Sequence, residues 1–164
     1  LKNLCFGKTN RYNHDDIGWN YRFTNLQAAI GISQLRRINS IIKRKKKIGK
    51  DYYKKIVKNK NIYIQSPSYN NLKNVYWVVG ILIKNKKMTA SELQKKLYKK
   101  GIDTRLFFWP MNKQNIFRKM KFKFKNNYKN SEYLSKYGLY LPSGLGITKK
   151  EINFVANNIN KILK

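Results

Sequence analysis

The sequence predicts an α/β protein of the α+β kind, one small sheet covered by helices. Three observations carry that reading. Threonine-led capping boxes open three segments of helical apolar period. Runs of β-branched and aromatic residues lie between those segments, bounded by Asn-, Lys- and Gly-rich turns. The resulting order, helix–strand–strand–helix–strand–helix–strand–helix, fits one sheet and its helical cover.

The first box is "TNLQ" (Thr24 to Gln27), and it opens the longest helical pattern. Leu26, Ala29, Ile30, Leu35, Ile38, Ile42, Ile48, Tyr52 and Ile56 share a broad stripe over about eight turns. The first half of this pattern is nearly neutral, whereas the second carries "KRKKKIGKDYYKK" (Lys43 to Lys55). A helix with two such halves joins two environments, and Ala28, Ala29 and Gly31 permit close approach of another element. Gly49 is the expected place for a bend.

"TASE" (Thr89 to Glu92) opens a second helix with Leu93 and Leu97 inward and Gly101 as its C-terminal cap. "TKKE" (Thr148 to Glu151) opens the last, with Ile152, Val155, Ile159 and Ile162 on one face. Between them, "NIYIQS" alternates as a half-buried strand, and "VYWVVGILI" (Val75 to Ile83) reads as a central strand. "IDTRLFF" follows the second helix, and "GLYLP" (Gly138 to Pro142) leads to the last. "NNLKN" and "KNKK" are turns by composition, and Lys119 to Ser131 is the expected mobile loop.

The formal charge of +30 points toward polyanions, but its make-up argues otherwise. The basic residues are 30 Lys and 7 Arg, and Asn, Ile and Tyr are abundant beside them, the signature of AT-rich codons. Arg, which reads phosphates and bases bidentately, is the scarce one. Dispersed lysine reads as a solvated face with loose, salt-sensitive affinity for polyanions, and a basic nucleic-acid module is the least favoured function. One Cys and one His exclude an internal disulfide and the multi-histidine zinc patterns, so no metal is expected. The longest apolar runs fall well short of the ~20 residues that span a bilayer, and a cytoplasmic location is the expectation. A start at Leu1 reads as a piece of a longer chain.

Chemistry has few candidates. Asp15–Asp16 is the one tight acid pair, and His14 and Cys5 have no partner in sight. No Walker loop, GxSxG or GxGxxG occurs. Two constellations remain. Asn20 and Arg22 stand just before the helix that starts at Thr24, where backbone donors and the dipole favour a phosphate. The competing reading pairs Arg22 with Asp15 or Asp16. Arg105, followed by Phe107, Phe108 and Trp109, suits a diphosphate beside a ring, or else an aromatic core strand with one snorkelling Arg.

"LCFGKTNRYNHDDIGWNYRFTNLQAAIGISQLRRI" (Leu4 to Ile38) resembles the DegT/StrS-type family of pyridoxal-phosphate-dependent nucleotide-sugar aminotransferases. "GIDTR", the Phe-x-Pro after it, "LPS" and the terminal amphipathic helix match as well, and the branch most similar is the one that forms GDP-perosamine. The resemblance implies the C-terminal part of an aspartate-aminotransferase-like fold with a long linking helix. Residues 1–40 would end the cofactor-binding large domain and begin that helix, and 41–164 would form the small domain. It implies pyridoxal 5'-phosphate as cofactor, a homodimer, and transfer of an amino group from glutamate to a GDP-linked 4-keto-6-deoxy sugar. Asn20 would reach the cofactor phosphate of the other subunit, with Arg22 nearby, and Arg105 with the Phe107–Phe108–Trp109–Pro110 segment, Phe108 and Trp109 foremost, would border the nucleotide-sugar pocket. Met111 and Asn112 stand where many relatives carry a His. The Schiff-base lysine would lie upstream, leaving these residues inactive alone. A dehydratase of the same family and a non-catalytic remnant are the alternatives.

Overall fold

The computed structural model describes residues 23–85, 87–124 and 127–164; Asn20 and Arg22 lie outside them. The chain divides into two compact units, residues 1–39 and 40–164. All three capping boxes form as the sequence predicts. Thr24 opens α1 (Asn25–Arg36), its backbone N–H donating to Gln27 Oε1 at 2.9 Å. A second helix, α2 (Ile38–Ile56), follows directly.

The expected single long helix is therefore two. The break falls at Arg37, whose backbone N–H bonds back to Gln34 O, three residues earlier, at 3.1 Å. That tightening from the four-residue to the three-residue step ends one helix before the next begins. Gly49, in contrast, lies within an unbroken α2. Its missing side chain makes room for the Tyr76 ring, which a Cβ there would penetrate.

No residue of α1 is buried, and Leu26, Ile30, Ile32 and Leu35 are 78%, 65%, 52% and 67% exposed. Clustered apolar side chains left in water favour association. The chain on its own is accordingly expected to self-associate, read as a mass that rises with concentration in light scattering. A monodisperse monomer at high concentration in moderate salt contradicts this.

Residues 40–164 form the larger unit. Its sheet contains β1 (Ile62–Ile64), β4 (Val79–Ile83), β5 (Arg105–Leu106) and β6 (Gly138–Leu141), ordered β1-β4-β6-β5 and antiparallel throughout. A separate hairpin, β2 (Ser68–Tyr69) and β3 (Leu72–Lys73), turns at Asn70, whose φ is 51°. Asn tolerates that left-handed conformation better than most residues. The helices are α2, α3 (Ala90–Tyr98), the short α4 (Asn115–Lys119), α5 (Lys129–Tyr137) and α6 (Lys149–Ile162).

Register explains the core. Ile62 faces Ile83, Ile64 faces Ile81, Ile81 faces Leu139 and Val79 faces Leu141, so these side chains share one face of the sheet. That face is covered by Ile48, Tyr52 and Ile56 of α2, Leu93 and Leu97 of α3, and Ile152, Val155 and Ile159 of α6. Gly101 closes α3 at φ 74°, with its N–H on Tyr98 O and the Ile102 N–H on Leu97 O. This is a Schellman end, with Leu97 and Ile102 both buried beside it.

One expectation changes. The strand expected from Val75 begins only at Val79, because Tyr76 turns out of extended geometry at φ 53° and sends its ring toward Gly49. The segment expected to be a mobile loop contains part of an aromatic cluster. Phe117, Phe122 and Phe124 meet at ring separations of 4.9 to 5.8 Å, and Phe124 also meets Tyr128. Lys113 and Glu132 form a 2.9 Å ion pair nearby. Among the described residues no helix is long and apolar enough to cross a membrane.

Hydrogen bonds from the Thr89 and Thr148 backbones hold the Glu92 and Glu151 carboxyls below their ordinary value of 4.5. A carboxyl depressed by folding contributes stability above its unfolded value and loses it as the pH falls through the folded one. Thermal stability should thus decline on acidification from about pH 4.5 downward. Thr148→Ala is expected to cost about 1 kcal/mol at neutral pH and to return Glu151 toward its ordinary titration, followed by NMR. An unchanged Glu151 titration in that variant contradicts the cap's role.

Candidate functional site

Arg105 and Tyr140 face each other across β5 and β6, on the side of the sheet opposite the core. Arg105 helps to line a cleft of about 640 Å³, bounded also by Asp103, Thr104, Tyr140, Glu151 and Phe154. The cleft's floor at the Pro142–Ile147 loop is held by side chains of α2. Tyr52 Oη donates to Pro142 O at 2.9 Å, Lys45 Nζ to Ser143 O at 2.8 Å, and Arg44 Nε to Leu145 O at 3.1 Å. Arg44 Nη2 also donates to Ile147 O. Burial lowers the Lys45 pKa and, with the nearby Glu151 charge, raises that of Tyr52. Side chains on one helix thus fix four carbonyls of one loop, and that part of the cleft is pre-shaped.

The electrostatics are mixed. Arg105 is exposed and presents its planar fork, suited to a phosphate or carboxylate. Glu151 and Asp103 bring negative charge to the same cleft. Thr104 is 4% exposed and its hydroxyl has no hydrogen-bond partner. No nucleophile–base pair is assembled among these residues. The arrangement can bind and orient a ligand.

A second cleft of about 330 Å³ adjoins it, with Tyr63, Gln65, Trp77 and Phe107 in its wall and Tyr140 shared between the two. Phe107 stacks on Tyr140 at 4.5 Å and 24°. Gly80 and Gly138 make that possible, because a Cβ on either would press into the Phe107 ring. Its backbone N–H continues the β5 ladder onto Gly138 O at 3.2 Å.

Of the expected residues that are described, Arg105 lines the first cleft and Phe107 the second. Phe108 is 74% exposed and meets Tyr140 edge-on at 6.1 Å, and Trp109 donates its indole N–H to Lys113 O at 3.0 Å. Neither contributes to the walls of the two clefts. Phe107 is the ring that does, and strand alternation carries the signal, since residues two apart share a face. Tyr140 and Trp77 came with no such signal.

Residues 1–160 match the DegT/DnrJ/EryC1/StrS aminotransferase family. The chain is 32% identical over 151 residues to a GDP-perosamine synthase of Escherichia coli O157:H7, covering 92% of this chain and 39% of that protein. It is 30% identical to a GDP-perosamine synthase of Vibrio cholerae, covering 97% of this chain and 42% of the other. The fold is shared with Helicobacter pylori PseC, an aminotransferase involved in the biosynthesis of pseudoaminic acid, at TM-score 0.78 and 20% identity over 92% of this chain and 40% of that one. The chain spans about two fifths of the length of these relatives. The family's aminotransferases use pyridoxal phosphate. The α6 N-terminus is not a place for its phosphate: Thr148 and Glu151 already take the backbone donors there, and the Glu151 carboxylate opposes a second anion. The chain belongs to the DegT/DnrJ/EryC1/StrS aminotransferase family.

Proposed function

We propose that this chain is the C-terminal part of a pyridoxal-phosphate-dependent aminotransferase that moves an amino group from glutamate to a GDP-linked 4-keto-6-deoxy sugar, in the manner of perosamine formation. The observation that carries the reading is the similarity to GDP-perosamine synthases along nearly the whole chain. In this reading residues 1–40 belong with a large domain and 41–164 form the small one. The cofactor supplies the electron sink for amino transfer, and this chain contributes binding and orientation. Arg105, on the β5 edge, holds the sugar's diphosphate, and the exposed Phe108 and Trp109 flank the nucleotide from outside the cleft walls. Asn20 and Arg22 serve the cofactor phosphate across a homodimer. The α2 side chains that fix the Pro142–Ile147 loop keep the pocket wall in place as ligands come and go.

The chain alone is expected to hold no cofactor covalently. Visible absorbance that survives dialysis, trapped by borohydride on one of its lysines, overturns the placement of the reactive lysine elsewhere in the protein. The complete enzyme, given glutamate and GDP-4-keto-6-deoxymannose, should yield an amino sugar carrying the glutamate nitrogen. A deoxy product without that nitrogen marks the dehydratase reading, and no turnover marks a remnant.

A further inference from the structure

The lysines that the sequence spreads along the chain are ordered on α2. Lys43, Lys47, Lys50 and Lys54 are all exposed, and their 4–3–4 spacing puts them within a ~60° arc at about 100° per residue. The buried residues Ile48, Gly49, Tyr52 and Ile56 occupy the opposite side of the helix. The core therefore holds the stripe outward as a straight line of positive charge about 17 Å long. Among the described residues no acid pairs with any of the four, and the one ion pair formed is Lys113–Glu132. The only acid on α2, Asp51, is half-buried at the margin of the stripe.

We propose that this stripe docks the protein on an anionic lipid bilayer. Four compact, strongly hydrated ammonium groups on flexible stems suit a fluid plane of anionic headgroups, which sets no register. Nucleic acid fits less well. The stripe has no arginine fork for the bidentate contacts that read bases and phosphates. A bilayer asks only for a flat, outward array, and the stripe is one.

The test uses the full chain with vesicles of phosphatidylcholine containing about 30% phosphatidylglycerol at about 0.1 M salt, read by co-sedimentation. At roughly fivefold per lysine, replacing Lys43, Lys47, Lys50 and Lys54 by Gln should weaken binding by roughly a hundredfold or more. Replacing the exposed Lys149, Lys150, Lys161 and Lys164 by Gln removes the same charge elsewhere and should weaken binding less than tenfold. Circular dichroism confirms that both variants keep the fold, and Lys→Arg at the four α2 positions should retain binding. Equal losses in the two Gln variants overturn the proposal, since net charge then acts without the stripe. Duplex DNA bound more tightly than the vesicles, with the same dependence on the stripe, also overturns it in favour of nucleic acid.

Discussion

Gly49→Ala should destabilise residues 40–164 by about 1–2 kcal/mol net, against the ordinary gain from replacing a helical glycine. Two effects compete. Ala stabilises an exposed helix interior by up to about 1 kcal/mol over Gly. Here the added methyl would lie inside the Tyr76 ring. The ring has nowhere to go: it is 2% exposed, its hydroxyl donates to Gln65 O at 2.9 Å, and its backbone N–H is held by Asn74 Oδ1 at 2.8 Å. Burial also pushes its phenol up to about 12, so it stays a donor across the accessible pH range. Overpacking therefore wins. In a Tyr76→Ala background the sign should reverse, because the cavity accepts the methyl and helix propensity remains. Denaturant unfolding of the four proteins in this cycle measures both terms. A Gly49→Ala protein more stable than the parent would show that the ring does not fill that space.

The same contact shows where sequence reasoning reached its limit. Capping boxes and apolar stripes are local, encoded within one or two turns, and Thr24, Thr89 and Thr148 all start helices as their neighbours dictate. Gly101 was legible for the same reason: a glycine just past a helical stripe has one obvious use. Gly49 was not, because its partner lies 27 residues on, and nothing between them in the sequence couples a helical glycine to a tyrosine. The Arg37 break likewise lacks a Pro or Gly to announce it. At the site, Arg105 was legible as the one arginine of a strand that runs into three aromatics, and the matched "GIDTR" phrase supported it. Phe107 stood within the expected aromatic segment but below Phe108 and Trp109, although the alternation from Arg105 favours it over them. The glycines that seat its ring, Gly80 and Gly138, lie on two other strands, and only the β4–β6–β5 register brings them together.

In the complete enzyme, Arg105→Ala should raise the apparent Michaelis constant for the nucleotide sugar roughly ten- to a hundredfold, the weight of a hydrogen bond to a charged group. Its guanidinium is exposed at a cleft whose wall is already fixed by Arg44, Lys45 and Tyr52, so removing it takes away a ligand contact and leaves the wall standing. Arg105→Lys should recover only part, since a single ammonium cannot make the two-pronged contact. The glutamate half-reaction, which involves no diphosphate, should keep its rate. Asn20→Ala is expected to do the reverse: to lower cofactor affinity by a similar roughly ten- to hundredfold factor and to leave the sugar's relative Michaelis constant alone once cofactor is saturating. The two half-reactions change the cofactor's visible spectrum separately, so each effect is read without the other. If Arg105→Ala slowed the glutamate half-reaction as much as the sugar half-reaction, the diphosphate assignment would fail. Unchanged cofactor affinity in Asn20→Ala would remove the cross-subunit phosphate contact from the scheme.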